Sequence, residues 1–285
     1  MTLPISLITV SYNSAATLPR LLASVPAGVE VWLVDNSSKD GSVDVARSFG
    51  AQVIQLDENI GFGAASNRGA KAATQKYLYF ANPDSILTPG SLETMLAVMQ
   101  EQNQGQGDNI VALNPAFYSP SGEQHFKRRS VLLPRNLWMR PSQGQGSGRV
   151  CVLSGAGLFL EKARFDQVGG FDEQIFLFHE DDDLSLRLAT FGSLYLAADA
   201  KVFHQQGTGS ERSPKTGYQK STYLARSKAY VLTKYQIPNV RLRLFAEMVM
   251  KLLNPLIFFS PWRRARALGF AKGYRTRKHK PEKRR

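Results

Sequence analysis

The first hundred residues alternate short β-branched runs with stretches of helical periodicity, and few architectures satisfy that order besides a parallel sheet whose strands are joined through helices. Strands are expected at Ile5 to Val10, Val29 to Val34, Gln52 to Leu56 and Tyr77 to Ala81, with helices near Ala15 to Val25, Gly41 to Phe49, Ala64 to Lys76 and Gly90 to Gln102. In such a sheet the loops leaving the carboxyl ends of the strands build the ligand site. Polar clusters occupy those loops: Ser11-Tyr12-Asn13 after the first strand, Asp35-Asn36-Ser37-Ser38 after the second and Asn82-Pro83-Asp84 after the fourth. Three strand ends thus converge on one rim.

Residues 119–148 are rich in Gly, Gln, Ser and Pro, which predicts a mobile loop over the active site or acceptor cleft. Val150 to Leu160 reads as another buried strand, Gly169 to Asp172 as a turn, and Ala200 to Phe203 as a short strand before Gly207-Thr208-Gly209-Ser210. The acidic run Glu180 to Asp183 opens the amphipathic stretch Leu184 to Phe191, in keeping with the helix macrodipole. A single cysteine, Cys151, rules out an internal disulfide and suits a reducing compartment. Met1 to Val10 has no basic n-region and no run reaches the roughly 18–20 apolar residues of a membrane span, so a cytoplasmic protein is expected.

The formal net charge of +13 is unevenly spread. Residues 1–200 hold 15 Lys and Arg against 20 Asp and Glu, residues 201–239 hold 7 against 1, and residues 240–285 hold 14 against 2. Basicity belongs to the C-terminal third, which points to an anionic surface, either lipid headgroups or nucleic acid.

Several motifs carry chemistry. Asn59 to Gly69 is close to a dinucleotide fingerprint, but it follows the third strand and its last glycine position holds Ser66. Its glycines allow close backbone approach, and Asn67 and Arg68 supply donors suited to a diphosphate; a plain glycine turn before a helix accounts for it equally. Tyr12 and Asn13 lie at the first strand end, and Asp35 and Asn36 can bond a nucleobase or ribose, though Asp-Asn-Ser is also turn chemistry. Asp84 can hold Mg²⁺ or Mn²⁺ against substrate phosphates, or cap a helix. Among the four adjacent carboxylates, one rooted between apolar Phe176 to Phe178 and Leu184 can act as a general base, where the alternative is a solvated helix cap. A lone His204 is a metal ligand or a structural residue.

Together these motifs resemble family 2 glycosyltransferases, especially the bacterial rhamnosyltransferase-like branch. The likeness rests on "VSYNS", "VDNSSKDGS", "NIGFGAASNRG", "NPD", "GGFDEQIFLFHEDDDLSLRL" and a later "FH", in this order over about residues 5–210. It implies a GT-A fold, an α/β Rossmann-like, mostly parallel sheet flanked by helices. It also implies inverting transfer of a sugar, rhamnose by likeness, from a nucleotide-diphosphate donor to a lipid-linked or cell-surface glycan acceptor. Tyr12, Asn13, Asp35 and Asn36 would then hold the nucleoside, with Asn67 and Arg68 near the diphosphate. Asp84 and His204 would carry Mg²⁺ or Mn²⁺, Asp181 would be the catalytic base, and Glu180 and Asp183 would support it or the acceptor. One departure stands out: Asn82 replaces the first acid of the family's metal motif.

The expected division is a catalytic domain over residues 1–220 and a helical, basic tail over residues 221–285. From Leu242 to Phe259 the tail is apolar except for Arg243, Glu247, Lys251 and Asn254 on one face, an amphipathic helix suited to a membrane interface. Trp262, Arg263, Arg264 and Arg266 continue into Lys283-Arg284-Arg285, so residues 240–285 are expected to meet an anionic membrane at its inner face, with no nucleic acid as partner. Two rivals are a sugar nucleotidyltransferase, which would carry an arginine-bearing glycine loop where Ser11 to Ser14 stands, and a non-catalytic nucleic-acid binder acting through the tail.

Overall fold

All seven residues of β1 (Ile5–Ser11) and all five of β4 (Tyr77–Ala81) are buried, the mark of strands covered on both faces. The computed structural model describes residues 2–104, 109–144, 146–204 and 213–276; Gly207 to Ser210 and Lys283 to Arg285 lie outside them. It flanks β1 with β2 (Glu30–Asp35) and β4 and sets β3 (Gln52–Gln55) beyond β2, every pairing parallel. The connecting helices are α1 (Leu18–Ser24), α2 (Ser42–Ser48) and α3 (Phe62–Ala72).

The sheet is completed by β5 (Ser85–Leu87), β6 (Ile110–Tyr118), β7 (Gln124–His125), β8 (Gly148–Arg149), β9 (Gly157–Glu161) and β10 (Ser193–His204), with α4 (Ser91–Gln104), α5 (Lys162–Gln167) and α6 (Glu180–Leu188) interspersed. Its order is β3-β2-β1-β4-β9-β6-β10-β5, with β7 on β6 and β8 on β10. Since β9 opposes both β4 and β6 while β10 runs parallel to β6, all strands of that path except β9 and β5 share one direction. Of the expected strand Val150 to Leu160, only the end from Gly157 onward is extended, because Asn114 pulls residues 154–157 into a turn. Its Nδ2 donates to the carbonyls of Ser154 (3.0 Å) and Gly157 (2.6 Å), and its Oδ1 accepts from Ser154 N–H (2.7 Å).

Strand alternation divides the core. Ile5, Leu7, Tyr77 and Tyr79 pack with Leu21, Leu92, Met95 and Met99 on one face. Ile8, Leu78 and Phe80 pack with Ala70, Phe165, Phe171, Leu184 and Leu188 on the other. Within the span expected as a loop, β7 and β8 pair with the sheet, and Trp138 Nε1 donates to the carbonyls of Ser130 (3.1 Å) and Leu133 (3.2 Å).

The chain divides into two compact units, residues 1–173 with 180–209, and residues 174–179 with 210–285. The second contains α7 (Pro214–Lys234), α8 (Val240–Leu252), α9 (Leu256–Phe259) and α10 (Pro261–Arg275), so the boundary expected near residue 220 falls inside α7. Glycine sets the approach of α10 to α7: a Cβ on Gly269 would lie 2.2 Å from the Tyr218 carbonyl oxygen, and one on Gly273 2.4 Å from that of Thr222. Ala225, Ala229, Leu244 and Phe270 form this unit's core.

The single tail helix expected from Leu242 to Phe259 is broken at Leu253 to Pro255, where Pro255 cannot continue the hydrogen-bond ladder. Its polar stripe is only partly solvent-facing. Glu247 pairs with Lys228 of α7 at 2.6 Å and with Lys251 at 3.3 Å, while Leu242, Phe245, Met250, Leu253, Phe258 (76%) and Phe259 (85%) are exposed. Among the described residues no helix is long and apolar enough to cross a membrane.

Candidate active site

At the carboxyl ends of β1 and β2, side chains mainly fasten one loop to the other. Asn13, at φ 55°, accepts Lys39 N–H on Oδ1 at 2.8 Å and donates its own N–H to Ser38 Oγ at 2.9 Å. Asn36 accepts Ile60 N–H at 2.9 Å and donates to the Gly61 carbonyl at 3.2 Å, which fixes the entry to α3. Asp35 is fully buried; Oδ2 accepts Ser38 N–H at 3.0 Å, whereas Oδ1 is buried without a hydrogen-bond partner. An orphaned acceptor of this kind is what a bound hydroxyl or base N–H would satisfy. Tyr12 is 49% exposed beside them.

Asn67 and Arg68 are engaged elsewhere in the first unit. The Asn67 amide accepts Phe171 N–H and donates to the Phe171 carbonyl, both at 2.9 Å, as a strand neighbour would. Arg68 Nη1 meets Glu173 Oε1 at 3.1 Å. Gly170, at φ 67°, admits this contact, since a Cβ there would lie 2.6 Å from Asn67 Oδ1.

Antiparallel pairing of β10 with β5 sets His204 opposite Ser85 and so brings it to the loop after β4. His204 Nε2 lies 3.3 Å from Asp84 Oδ1 and 3.2 Å from Asn82 Nδ2. With the ring proton on Nδ1, Nε2 accepts from the Asn82 amide, and two electron-rich atoms, Nε2 and Asp84 Oδ1, face each other. Such a pair requires a proton or a cation between them. Among the described residues no three His, Cys, Asp or Glu side chains gather to hold a metal. Asp84 and His204 are the residues here that would hold a hard cation.

Across Phe117, the ring of His125 lies 6.3 Å from that of His204. Its Nε2 is buried without a partner, and burial, helped by His204, pushes its pKa below the ordinary value.

At the start of α6, Asp181 Oδ1 accepts Asp182 N–H (2.9 Å) and Oδ2 accepts Gly155 N–H (3.0 Å). Lys127, a residue not singled out from the sequence, sets Nζ 2.8 Å from Asp181 Oδ1 and 2.9 Å from Asp182 Oδ1. Burial alone would lower its pKa; the two carboxylates overcome that and hold it above the usual lysine value. Glu180 is buried, and desolvation, followed by the charge of Asp181, pushes its carboxyl up to about 8. Its neutral form is thereby favoured beside the Asp181–Lys127 pair. Asp183 is turned away into a pair with Arg187, Nη2 to Oδ2 at 2.7 Å, and Arg187 also donates to the Val168 carbonyl at 2.6 Å.

One short turn joins both groups of residues. Gly155 N–H binds Asp181, and the carbonyl of the next residue, Ala156, accepts Asn82 N–H at 3.1 Å. Asn82, whose side chain meets His204, and the Asp181 carboxylate thus touch the same tripeptide, Ser154 to Ala156. Asn114, which shapes that turn, carried no sequence signal, being one asparagine in an apolar strand. Lys127 did have one, as the start of the Lys-Arg-Arg run in an otherwise acidic N-terminal region.

Comparison with known proteins identifies the family and the fold. The profile of Glycosyl transferase family 2 matches residues 6–152. An N-acetylglucosaminyl-diphospho-decaprenol L-rhamnosyltransferase of Mycobacterium tuberculosis is 30% identical over 264 residues, covering 79% of this chain and 84% of the relative. Among solved structures, S. aureus TarS 1-349 in complex with UDP-GlcNAc superposes with a TM-score of 0.58 at 18% identity, covering 93% of this chain and 79% of that one. The mannosyltransferase PcManGT from Pyrobaculum calidifontis, in complex with GDP-Man and Mn²⁺, also gives 0.58, at 13% identity, with 97% and 87% covered. Of the longer TarS chain, this protein spans 39%. At such identities the structural likeness speaks for the fold alone, which is GT-A as the sequence motifs imply. Profile and relative together establish that the chain belongs to glycosyl transferase family 2.

Proposed function

We propose that this chain transfers a sugar, rhamnose by relationship to the mycobacterial enzyme, from a nucleoside-diphosphate donor to a sugar carried on a lipid diphosphate, with inversion at the anomeric carbon. The observation that carries the reading is the Ser154 to Ala156 turn, which touches Asp181 on one side and the Asn82–Asp84 loop on the other. A base and a leaving-group site on either side of one tripeptide are what a direct displacement needs.

In this reading Asp181 removes the proton of the acceptor hydroxyl as that oxygen attacks from the face opposite the diphosphate. Lys127 and the Gly155 N–H hold the carboxylate in place, and neutral Glu180 spares it a second adjacent charge. Asp35, through its unpartnered Oδ1, receives the nucleoside beside Tyr12. Asp84 and His204 would hold Mg²⁺ or Mn²⁺, which when bound neutralises charge on the departing diphosphate. Asn67, Arg68 and Asp183 are assigned scaffold roles, given their partners in the fold.

Membrane attachment through α8 to α10 is part of the proposal. It is supported by the exposed Phe258 and Phe259 and by the nearby Arg263, Arg264 and Arg266, a combination that anionic interfaces select. The primary test is donor hydrolysis across nucleotide sugars with Mn²⁺ or Mg²⁺. Turnover of at least one donor, lost in Asp181→Asn with donor binding kept, supports the assignment; hydrolysis of none removes it.

A further inference from the structure

Residues 119–149 are a basic island. They hold six Lys and Arg against one acid, Glu123, while the rest of residues 1–200 hold nine against 19. Lys127 anchors this island at Asp181. Arg129 and Arg135 both lie over the ring of Trp138, at 5.6 and 5.8 Å from its centroid, and the indole is itself fixed by the Ser130 and Leu133 carbonyls. Met139 N–H closes the loop on the Arg128 carbonyl at 3.0 Å. Among the described residues, no carboxylate pairs with Arg128, Arg129, Arg135 or Arg140, and all but Arg128 are exposed.

Two guanidinium groups held by one indole offer forked donors to a multivalent anion. The backbone of Arg129 lies within about 7 Å of that of Lys127, two residues away. An anion bound by Arg129 would be held two residues along the chain from Lys127, the residue that meets the proposed base. Any acceptor whose attacking hydroxyl belongs to a sugar linked to a diphosphate must present that diphosphate about one ring away from the base.

We infer that Arg129 and Arg135, fixed on Trp138, form the binding site for the acceptor's diphosphate. This rests on the function proposed above and adds to it the residues that select the acceptor. The donor's diphosphate is assigned to the other side of the turn, near Asp84.

The test uses the full chain and Arg129→Gln/Arg135→Gln, two exposed positions whose loss should leave the melting temperature unchanged. Against a short-chain polyprenyl-diphosphate N-acetylglucosamine, acceptor KM should rise at least tenfold. It should stay unchanged for an alkyl N-acetylglucosaminide, and the donor KM and donor hydrolysis should hold. Calorimetric affinity for inorganic pyrophosphate should fall at least tenfold, a readout that stands even if no donor is turned over and the enzymatic reading itself fails. Unchanged acceptor KM and pyrophosphate affinity would overturn the inference. So would a parallel loss toward the donor, or a defect confined to binding of anionic phosphatidylglycerol vesicles, since those outcomes assign the cations to the donor or to lipid headgroups.

Discussion

Asp181 and Glu180 are neighbours in sequence with different surroundings, Asp181 against Lys127 and Glu180 buried, and each assignment is testable. Asp181→Asn keeps the shape of the side chain but turns one of its two acceptors into a donor, and it should lower turnover by about 10²–10⁴-fold with nucleotide affinity intact, read by steady-state kinetics and donor titration. Glu180 has its carboxyl raised from an ordinary 4.5 to about 8 by burial and the Asp181 charge. The folded state therefore binds a proton that the unfolded state has released between those values. Stability from this group is fully present below pH 4.5 and is lost as pH rises through 8. Melting curves should fall across that window for the native chain and flatten in Glu180→Gln; identical slopes would sink the assignment. These carboxylates were legible in the sequence because charge in an apolar setting is conspicuous. The tasks of Asn13, Asn36 and Asn67 were not, because an amide that bonds a ligand and one that bonds a distant loop look alike until the loop's position is known.

At the scale of elements, β-branched periodicity located the first four strands and helices to within a few residues, since local burial alone sets them. The later sheet was less readable. β6 and most of β10 owe their extension to pairing with distant strands, and Asn114 curls the beginning of the run that ends in β9. The glycines of α10 likewise acquire meaning only beside α7. Gly269→Ala would drive a methyl group into the Tyr218 carbonyl and should destabilise by about 1–3 kcal/mol, measured by urea unfolding. Gly170→Ala, strained at φ 67° and in collision with Asn67, should cost at least about 1 kcal/mol by the same assay.

For the molecule as a whole, the acidic first 200 residues and the strongly basic remainder were plain from counting charges, but the direction in which α8 turns its apolar side was not. Glu247 of α8 is drawn onto Lys228, and beyond the break Phe258 and Phe259 of α9 stand in solvent. Phe258→Ser/Phe259→Ser should therefore reduce flotation with anionic vesicles severalfold without lowering the melting temperature; unchanged flotation would dismiss that surface as the anchor. The Ser154 to Ala156 turn has a last implication. In the proposed reaction it would separate the proton acceptor from the leaving group, which makes its length part of that proposal. One added residue would lengthen the turn by up to about 3.8 Å, where a misplacement of about 1 Å can already cost 10²-fold in rate. Such an insertion should leave a folded protein that binds donor and transfers nothing, read by donor titration and product formation.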